Sequence, residues 1–137
     1  MYPLVFRTVL SRMDSETAHH AAMIVIRMLG LPVVSWAARG LTRPHESLRT
    51  SALGLSFDSP FGVAAGFDKD VKGAQGLWAL GFGHVEVGTV TAIPQEGNPR
   101  PRLFRLIPDR ALVNRMGFNN GGSRAAAIWL TRLRAKR

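Results

Sequence analysis

The order of predicted elements in the middle of the chain constrains the fold more than any other feature. Residues 53–57 and 60–64 flank Asp58-Ser59 and predict a hairpin that leads into a short buried strand around Val63. Residues 75–80 predict a helix that ends at Gly81, and residues 84–88 predict a second strand. A strand, a helix and a second strand in this order form a βαβ unit, in which the two strands are parallel. This part of the chain is therefore of the α/β class, and residues 123–134 predict a further helix.

The residue pattern of the amino-terminal part is different and predicts helices. Asp14 or Ser15 is suited to cap a helix, because a short side-chain oxygen can accept from the free N–H groups of the first turn, and Gly30 would end that helix. We therefore divide the chain into a helical extension, residues 1–46, and an α/β segment, residues 47–137.

The helix after residue 14 carries more apolar surface than one face needs. Its predicted core face consists of Ala18, Ala21, Ala22, Val25 and Leu29. Further apolar residues lie away from that face, so the extension either packs widely on the rest of the protein or rests on a membrane surface and admits an apolar ligand. No uncharged run reaches the ~20 residues of a spanning helix, and the first ten residues do not predict a secretory signal. His19 and His20 are interpreted as polar-face residues.

Composition excludes some kinds of chemistry and leaves the partner open. The chain contains no cysteine, which excludes disulfides, thiolate metal sites and a cysteine nucleophile among its 137 residues. Its formal net charge of +9 favours anionic partners such as nucleic acid, acidic lipid or phosphate groups. An arginine-rich proteome would produce the same balance, so charge alone does not choose among these partners.

The first stretch with chemical potential is Ala64-Ala-Gly-Phe-Asp-Lys69, at the end of the first predicted parallel strand. Its three small residues leave the backbone bare, so that a planar ring or a phosphate can approach closely. Lys69 adds a fixed positive charge, which in a flavin site would stabilise the negative charge of the reduced ring. The alternative is a tight strand-to-helix turn in which Asp68 caps the following helix.

Three further stretches are weaker signals on their own. Val87-Gly-Thr-Val-Thr91 offers room and a hydroxyl to a cofactor at the end of the next strand, or is an ordinary strand end. The prolines of Asn98-Pro-Arg-Pro-Arg-Leu-Phe-Arg105 predict an extended loop, and few aromatic residues accompany its arginines for stacking on nucleic acid. The carboxamides of Asn114-Arg-Met-Gly-Phe-Asn-Asn120 suit a flat heterocycle with amide edges, although asparagine clusters also build turns.

Six stretches occur in an order and spacing that are specific when taken together. They are Phe61-Gly-Val-Ala-Ala-Gly-Phe-Asp-Lys69, Gly81-Phe-Gly83, Glu86-Val-Gly-Thr-Val-Thr91, Gly97-Asn-Pro99, Pro101-Arg-Leu-Phe-Arg-Leu106 and Asn114-Arg-Met-Gly-Phe-Asn-Asn120. Together they resemble the class 2, quinone-linked dihydroorotate dehydrogenases. The Met-Tyr-Pro opening and the Asp-x-Glu-x-Ala-His pattern at residues 14–19 extend the resemblance to the amino terminus, whereas residues after Gly121 match only as a generic helix.

This resemblance implies an FMN-binding (β/α)₈ TIM barrel preceded by an amino-terminal helical extension. It implies oxidation of dihydroorotate to orotate in pyrimidine (UMP) biosynthesis, with FMN as cofactor and a membrane quinone as acceptor. The implied flavin contacts are Ala65, Gly66, Phe67, Asp68, Lys69 and Thr89. The implied substrate contacts are Lys69, Asn114, Arg115, Met116, Gly117 and Phe118. Lys69 would serve both ligands.

Length is the main departure from the family. The 90 residues from 48 to 137 are too few to close a barrel, which needs ~250 residues. The serine base of the family would lie beyond Arg137, so we expect no catalytic residue and no metal site in this chain, and we expect the chain alone to be inactive. The extension would form the apolar access route for the quinone, which predicts a peripheral protein on the cytoplasmic side of the cell membrane and no nucleic-acid partner.

Two alternatives stay open at this point. One is a fumarate- or NAD-linked dihydroorotate dehydrogenase on the same barrel. The helical extension disfavours this alternative, because those relatives lack such an extension. The other is a non-catalytic basic module that binds nucleic acid or anionic lipid, which would bind in a salt-sensitive way without a flavin.

Overall fold

The computed structural model describes residues 2–135, and the side chains of residues 4–135. The extension consists of α1 (Tyr2–Thr8), α2 (Ser15–Leu29) and α3 (Pro32–Thr42). A first hairpin follows, made of β1 (Thr50–Ala52) and β2 (Leu55–Phe57). The βαβ unit contains β3 (Gly62–Val63), α4 (Ala74–Ala79) and β4 (His84–Val85). A second hairpin of β5 (Leu103–Leu106) and β6 (Ala111–Asn114) precedes α5 (Gly122–Arg134).

The predicted βαβ unit is confirmed. β3 and β4 pair in parallel, with Gly62 opposite His84 and Val63 opposite Val85, and Val63 is half-buried rather than buried. α4 ends just before Gly81, whose φ of 93° is one that glycine adopts without steric cost. Within residues 2–135 this is the only parallel pair, so the described part of the chain contains one βαβ unit and no closed barrel.

Asp14 caps α2, as its position before the helix predicts. The Oδ1 atom of Asp14 accepts from the N–H groups of Glu16 at 3.1 Å and of Thr17 at 2.9 Å. The hydrogen bond from the backbone of Thr17 is the main cause that holds the pKa of Asp14 below its ordinary value. Gly30 follows the last residue of α2, as predicted.

α2 and α4 cross at very short distance because each contributes a glycine to the crossing. Gly30 directly follows α2, and Gly76 lies in α4. A Cβ on Gly76 would lie 1.7 Å from the carbonyl oxygen of Ile26, and a Cβ on Gly30 would lie 3.1 Å from the nitrogen of Gly76. The backbones therefore touch without intervening side chains. This contact fixes the position of the extension on the α/β segment.

The predicted core face of α2 is wrong in part. Ala18 is buried, but Ala22 and Val25 are exposed, while Ile26, outside the predicted face, is buried. The close crossing at Gly76 turns Ile26 inward. The buried face is therefore set by α4, which lies some fifty residues further along the chain, and not by the alanine stripe.

The turn of the first hairpin was also predicted in the wrong place. The two strands meet around Leu53 and Gly54, with φ values of 53° and 74°, and not around residues 58–59. A two-residue hairpin turn with positive φ at both positions matches the twist of the strands, and glycine supports it. Asp58 instead forms ion pairs of 3.6 Å with Arg39 and Arg49.

The stretch from Asn98 to Arg105 is an extended loop only in its first half. From Leu103 onward it is strand β5, which pairs antiparallel with β6 so that Leu103 lies opposite Asn114. Burial alternates along β5, as in a strand with one covered face. The hairpin places Asn114 at a strand end, beside the loop that follows β3.

The extension leaves many large apolar side chains exposed. They include Ile24, Val25, Met28, Leu31, Val33, Trp36 and Leu41. Trp36 is 81% exposed and Leu41 is 92% exposed. Taken singly, none of the helices within residues 2–135 is long and apolar enough to cross a bilayer, and α2 with α3 reaches that length and hydropathy only as a pair bent by 97°.

Candidate active site

The loop after β3, residues 64–69, lies directly beside the end of β4. Gly66 donates its N–H to the carbonyl oxygen of Gly88 at 2.7 Å, and Gly88 donates its N–H to the carbonyl oxygen of Asp68 at 3.2 Å. The ends of both parallel strands are thus joined at one edge of the unit. In α/β barrels this edge, at the carboxyl ends of the strands, carries the active site.

The backbone around Gly66 is bare and open. Gly66 has a φ of 98°, and a Cβ built on it would meet no atom within 4 Å. Ala64, Ala65 and Thr89 are also exposed around this point. A planar ring has room to lie against this backbone, so the predicted flavin contacts fit such a group.

Asp68 has a structural role in the same loop. Its carboxylate is buried and accepts from the N–H groups of Lys72 at 2.9 Å and Gly73 at 2.8 Å. The tight turn of the alternative interpretation is therefore present, but Asp68 does not cap α4, whose N-cap is Gly73 without a side-chain hydrogen bond. Because the side chain is engaged within the protein, a ligand contact of Asp68 would come from its backbone.

Lys69 joins the loop after β3 to the asparagine-rich loop after β6. Its Nζ atom donates to the carbonyl oxygen of Gly117 at 3.4 Å and to the Oδ1 atom of Asn119. Burial, and next the positive charge of Arg102, lower the pKa of Lys69 from its ordinary value. The two loops predicted to hold the flavin and the substrate therefore lie side by side, as a shared site requires.

A cavity of about 400 Å³ opens between these loops and α2. This volume is within the range of small-molecule sites. The wall from α2 consists of His19, His20, Met23, Ile24 and Arg27. The other walls consist of Gly66, Phe67, Asp68, Lys69, Asp70, Lys72, Leu103, Asn114, Met116 and Asn119. The extension is thus one side of the candidate site.

Some predicted site residues lie outside this cavity. They are Ala65, Thr89, Arg115, Gly117 and Phe118. Arg115 points away, since its Nη2 atom donates to the carbonyl oxygen of Pro101 at 3.2 Å and its guanidinium lies 5.8 Å from the ring centre of Phe104. Phe118 is 57% exposed. The roles implied for these residues stay predictions.

The asparagine cluster combines a cavity face with turn structure. Asn114 accepts from the N–H group of Met116 at 2.9 Å and still lines the cavity. Asn120 is buried, and its Oδ1 atom accepts from the N–H groups of Thr91 at 3.1 Å and Gly122 at 3.0 Å. Asn120 therefore builds the fold, which was one of the two interpretations of this cluster.

His19 was wrongly interpreted as a polar-face residue. It is half-buried, it lines the cavity, and its ring meets the ring of Phe67 edge-on at 5.1 Å between centres. Burial, followed by the charges of His20 and Lys69, lowers its pKa. The Asp-x-Glu-x-Ala-His pattern at residues 14–19 was the sequence signal that could have marked it.

A buried ion pair next to the cavity was also missed. Glu16 of α2 and Arg102 before β5 are 4% and 6% exposed. The hydrogen bond from Arg102 is the main cause that lowers the pKa of Glu16, and the same bond raises the pKa of Arg102. In the described part of the chain, no group of three or more histidine, aspartate or glutamate side chains is placed to hold a metal ion.

Comparison with known proteins agrees with this geometry. The family model described as "Dihydroorotate dehydrogenase" matches residues 47–137. Over its full length the chain is 66% identical to the "Dihydroorotate dehydrogenase (quinone)" of Clavibacter michiganensis and 60% identical to that of Leifsonia xyli. It is 56% identical over 132 residues to the protein of the same name in Streptomyces griseus. The chain spans 40%, 40% and 36% of the length of these relatives.

Solved structures give the same result. The crystal structure of DHODH from Eimeria tenella in complex with ferulenol matches with a TM-score of 0.79 and 40% identity, over 90% of this chain and 31% of that one. The ligand-free structure from the same organism matches with a TM-score of 0.76 and 41% identity, over 88% of this chain. The cavity between the two loops, the family match and these relatives lead to one conclusion: the chain belongs to the dihydroorotate dehydrogenase family.

Proposed function

We propose that this chain supplies the amino-terminal portion of an enzyme that oxidises dihydroorotate to orotate with FMN and a quinone acceptor. The observation that carries the proposal is the position of Lys69, which reaches from the bare loop after β3 to the loop that begins at Asn114. Relatives named for the quinone reaction, at 60% to 66% identity over the whole chain, support the same acceptor.

Each wall of the cavity has a task in this proposal. The open backbone at Gly66 would lie against the flavin ring, and bound FMN would supply the acceptor for two electrons from the substrate. The ammonium group of Lys69 would face both the flavin edge and the carboxylate of the substrate. Asn114 would offer its carboxamide to the pyrimidine ring. α2 would cover the site and exclude water.

The test uses a chimera in which residues 1–137 are joined to the part of the Clavibacter michiganensis relative that this chain does not cover. We refer to it as the completed chimera. It should be yellow, and it should oxidise dihydroorotate with a quinone or a quinone-like dye as acceptor. The 137-residue chain alone should not.

Lys69→Met should lower kcat/KM for dihydroorotate by about 100-fold or more, since it removes a fixed charge from a partly buried site. Lys72→Met is the matched control, because it removes the same charge from the same cavity. The ammonium group of Lys72 is tied to Asp70 at 2.8 Å rather than to the loop at residues 114–120. Equal losses in both variants would contradict the role given to Lys69.

The acceptor separates this proposal from the fumarate- or NAD-linked alternative. The completed chimera should reduce a quinone and should be much slower with fumarate or NAD. Faster turnover with fumarate or NAD would favour the alternative. A colourless protein that bound nucleic acid in a salt-sensitive way would instead favour the basic binding module.

We also propose that the extension rests on the surface of the cell membrane, on its cytoplasmic side, and that the quinone enters there. The exposed apolar side chains of α2 and α3 support this, since they include Trp36 and Leu41. Replacing Trp36 and Leu41 by serine should reduce sedimentation of the completed chimera with phospholipid vesicles. Turnover with a water-soluble acceptor should not change. Unchanged sedimentation would contradict the proposal.

A further inference from the structure

The carboxylate of Glu16 binds two arginines from a distant part of the chain. Its Oε1 atom accepts from Nη2 of Arg102 at 2.6 Å and from Nη2 of Arg100 at 2.9 Å, and its Oε2 atom accepts from Nε of Arg102 at 3.1 Å. The contact with Arg102 is bidentate, which fixes the plane of the guanidinium. An acidic residue of the extension thus sets the orientation of a side chain in the α/β segment.

Arg102 also binds the loop that precedes it, residues 96–98. Its Nη1 atom donates to the carbonyl oxygens of Glu96 at 2.6 Å and Asn98 at 2.9 Å. Its own carbonyl oxygen accepts from the N–H group of Arg115 at 2.9 Å. The guanidinium of Arg102 therefore connects residues 96–98 to Glu16 of α2. The backbone of Arg102 connects the same segment to the loop after β6.

Asn98 in turn holds the loop that carries the implied substrate contacts. Its N–H group donates to the carbonyl oxygen of Met116 at 3.0 Å, and its Nδ2 atom donates to the carbonyl oxygen of Arg115 at 2.7 Å. A Cβ on Gly117 would lie 3.3 Å from the same carboxamide. The loop is thus held between Asn98 on one side and Lys69 on the other.

The extension does not need Glu16 in order to stay attached. α2 already touches α4 at Gly76, and the Nη1 atom of Arg105 donates to the carbonyl oxygen of Met13 at 2.6 Å. A buried ion pair costs desolvation energy that an apolar contact would not. Its connection to Asn98 therefore points to a task other than anchoring.

We propose that Glu16 and Arg102 are positioning residues for the substrate loop, so that the helical extension takes part in dihydroorotate binding as well as in access of the acceptor. This inference rests on the proposed function. The chain of contacts runs from Glu16 through Arg102 and Asn98 to the backbone of residues 115–117. Neither Glu16 nor Arg102 lines the cavity, so both would act through the loop.

The test measures the loop and the enzyme separately in the completed chimera. In Glu16→Gln, exchange of the amide hydrogens in peptides covering residues 110–120 should speed up about tenfold, and KM for dihydroorotate should rise about tenfold, which corresponds to the loss of about 1.4 kcal/mol. The value of kcat should change little, and the rise in KM should be the same with a quinone and with a soluble dye. The Glu16→Gln/Arg102→Lys double variant should be no worse than the worse single variant, because both residues act through one contact.

Asp58→Asn is the matched control, since it removes the charge of another carboxylate that pairs with two arginines, Arg39 of α3 and Arg49, without contacting residues 96–117. It should leave KM for dihydroorotate and amide exchange in residues 110–120 unchanged. A Glu16→Gln variant that altered KM for the quinone alone, with normal exchange at residues 110–120, would overturn the inference. If the chimera itself did not oxidise dihydroorotate, the proposed function would fail, and exchange would still decide whether Glu16 holds the loop.

Discussion

Alanine at position 76 should destabilise the protein although alanine favours helices. Gly76 lies in α4, where Gly→Ala alone would be favourable by about 1 kcal/mol. The new Cβ would lie 1.7 Å from the carbonyl oxygen of Ile26 and 2.7 Å from its carbonyl carbon. These atoms belong to the backbone of α2 and cannot rotate away as a side chain would.

The size of the effect follows from this geometry. Real Cβ atoms keep at least 3.0 Å from such neighbours, so α2 and α4 must separate by about 1.3 Å at the crossing. Forced separation of packed elements costs about 1–3 kcal/mol and sometimes more. A shift of this size disturbs the whole contact, so we expect a packing cost of about 3 kcal/mol or more. After subtraction of the helix-propensity gain, the free energy of unfolding should fall by about 2 kcal/mol.

Equilibrium urea denaturation of the completed chimera, followed by tryptophan fluorescence, measures this loss as a lower midpoint at unchanged slope. Gly40→Ala is the matched control, because Gly40 lies in α3 and a Cβ there would meet no atom within 4 Å. It should stabilise the protein by about 0.5–1 kcal/mol. If both variants stabilised the protein to the same extent, the close crossing of α2 and α4 would be refuted.

Three further predictions concern single side chains around the site. The folded-state pKa of Glu16 lies below its ordinary value of 4.5. The ionised side chain therefore contributes its full stabilisation above pH 4.5 and loses it as the pH falls through the folded-state pKa. In urea titrations, the difference in unfolding free energy between the wild type and Glu16→Gln should shrink below pH 4.5. Asn120→Ala should cost about 2 kcal/mol in the same assay, because it leaves two backbone N–H groups without their acceptor. In Phe67→Ala the ring of His19 loses part of its burial, so its NMR titration midpoint should rise toward 6.5; an unchanged midpoint would show that Phe67 does not shield it.

Elements whose signals lie within a few residues could be predicted from the sequence. The cap of α2 at Asp14, the βαβ order and the end of α4 before Gly81 each depend on neighbours in the chain, and all three are confirmed. The hairpin turn was missed for a local reason as well. The prediction centred on Asp58 and overlooked Gly54, which can adopt the positive φ that a two-residue turn needs.

Features that depend on distant segments could not be predicted. The buried face of α2 is decided by Gly76, and the half-buried state of His19 is decided by Phe67. Glu16 and Arg102 are 86 positions apart, and no sequence pattern predicts that they form a buried pair. Polar residues on an amphipathic helix normally face solvent, so local reasoning assigns them to the surface.

The candidate site has a rigid wall on the side of the extension because α2 meets α4 through backbone atoms. Side chains between two helices can change rotamer and let the helices slide, whereas the carbonyl oxygen of Ile26 directly above Gly76 has no such freedom. His19 and Met23 of α2 line the cavity within two turns of that crossing, so their positions relative to Lys69 are fixed by the same contact. Separating the helices at Gly76 should therefore widen the cavity before it detaches the extension. In Gly76→Ala, binding of dihydroorotate should weaken at urea concentrations where the protein is still folded.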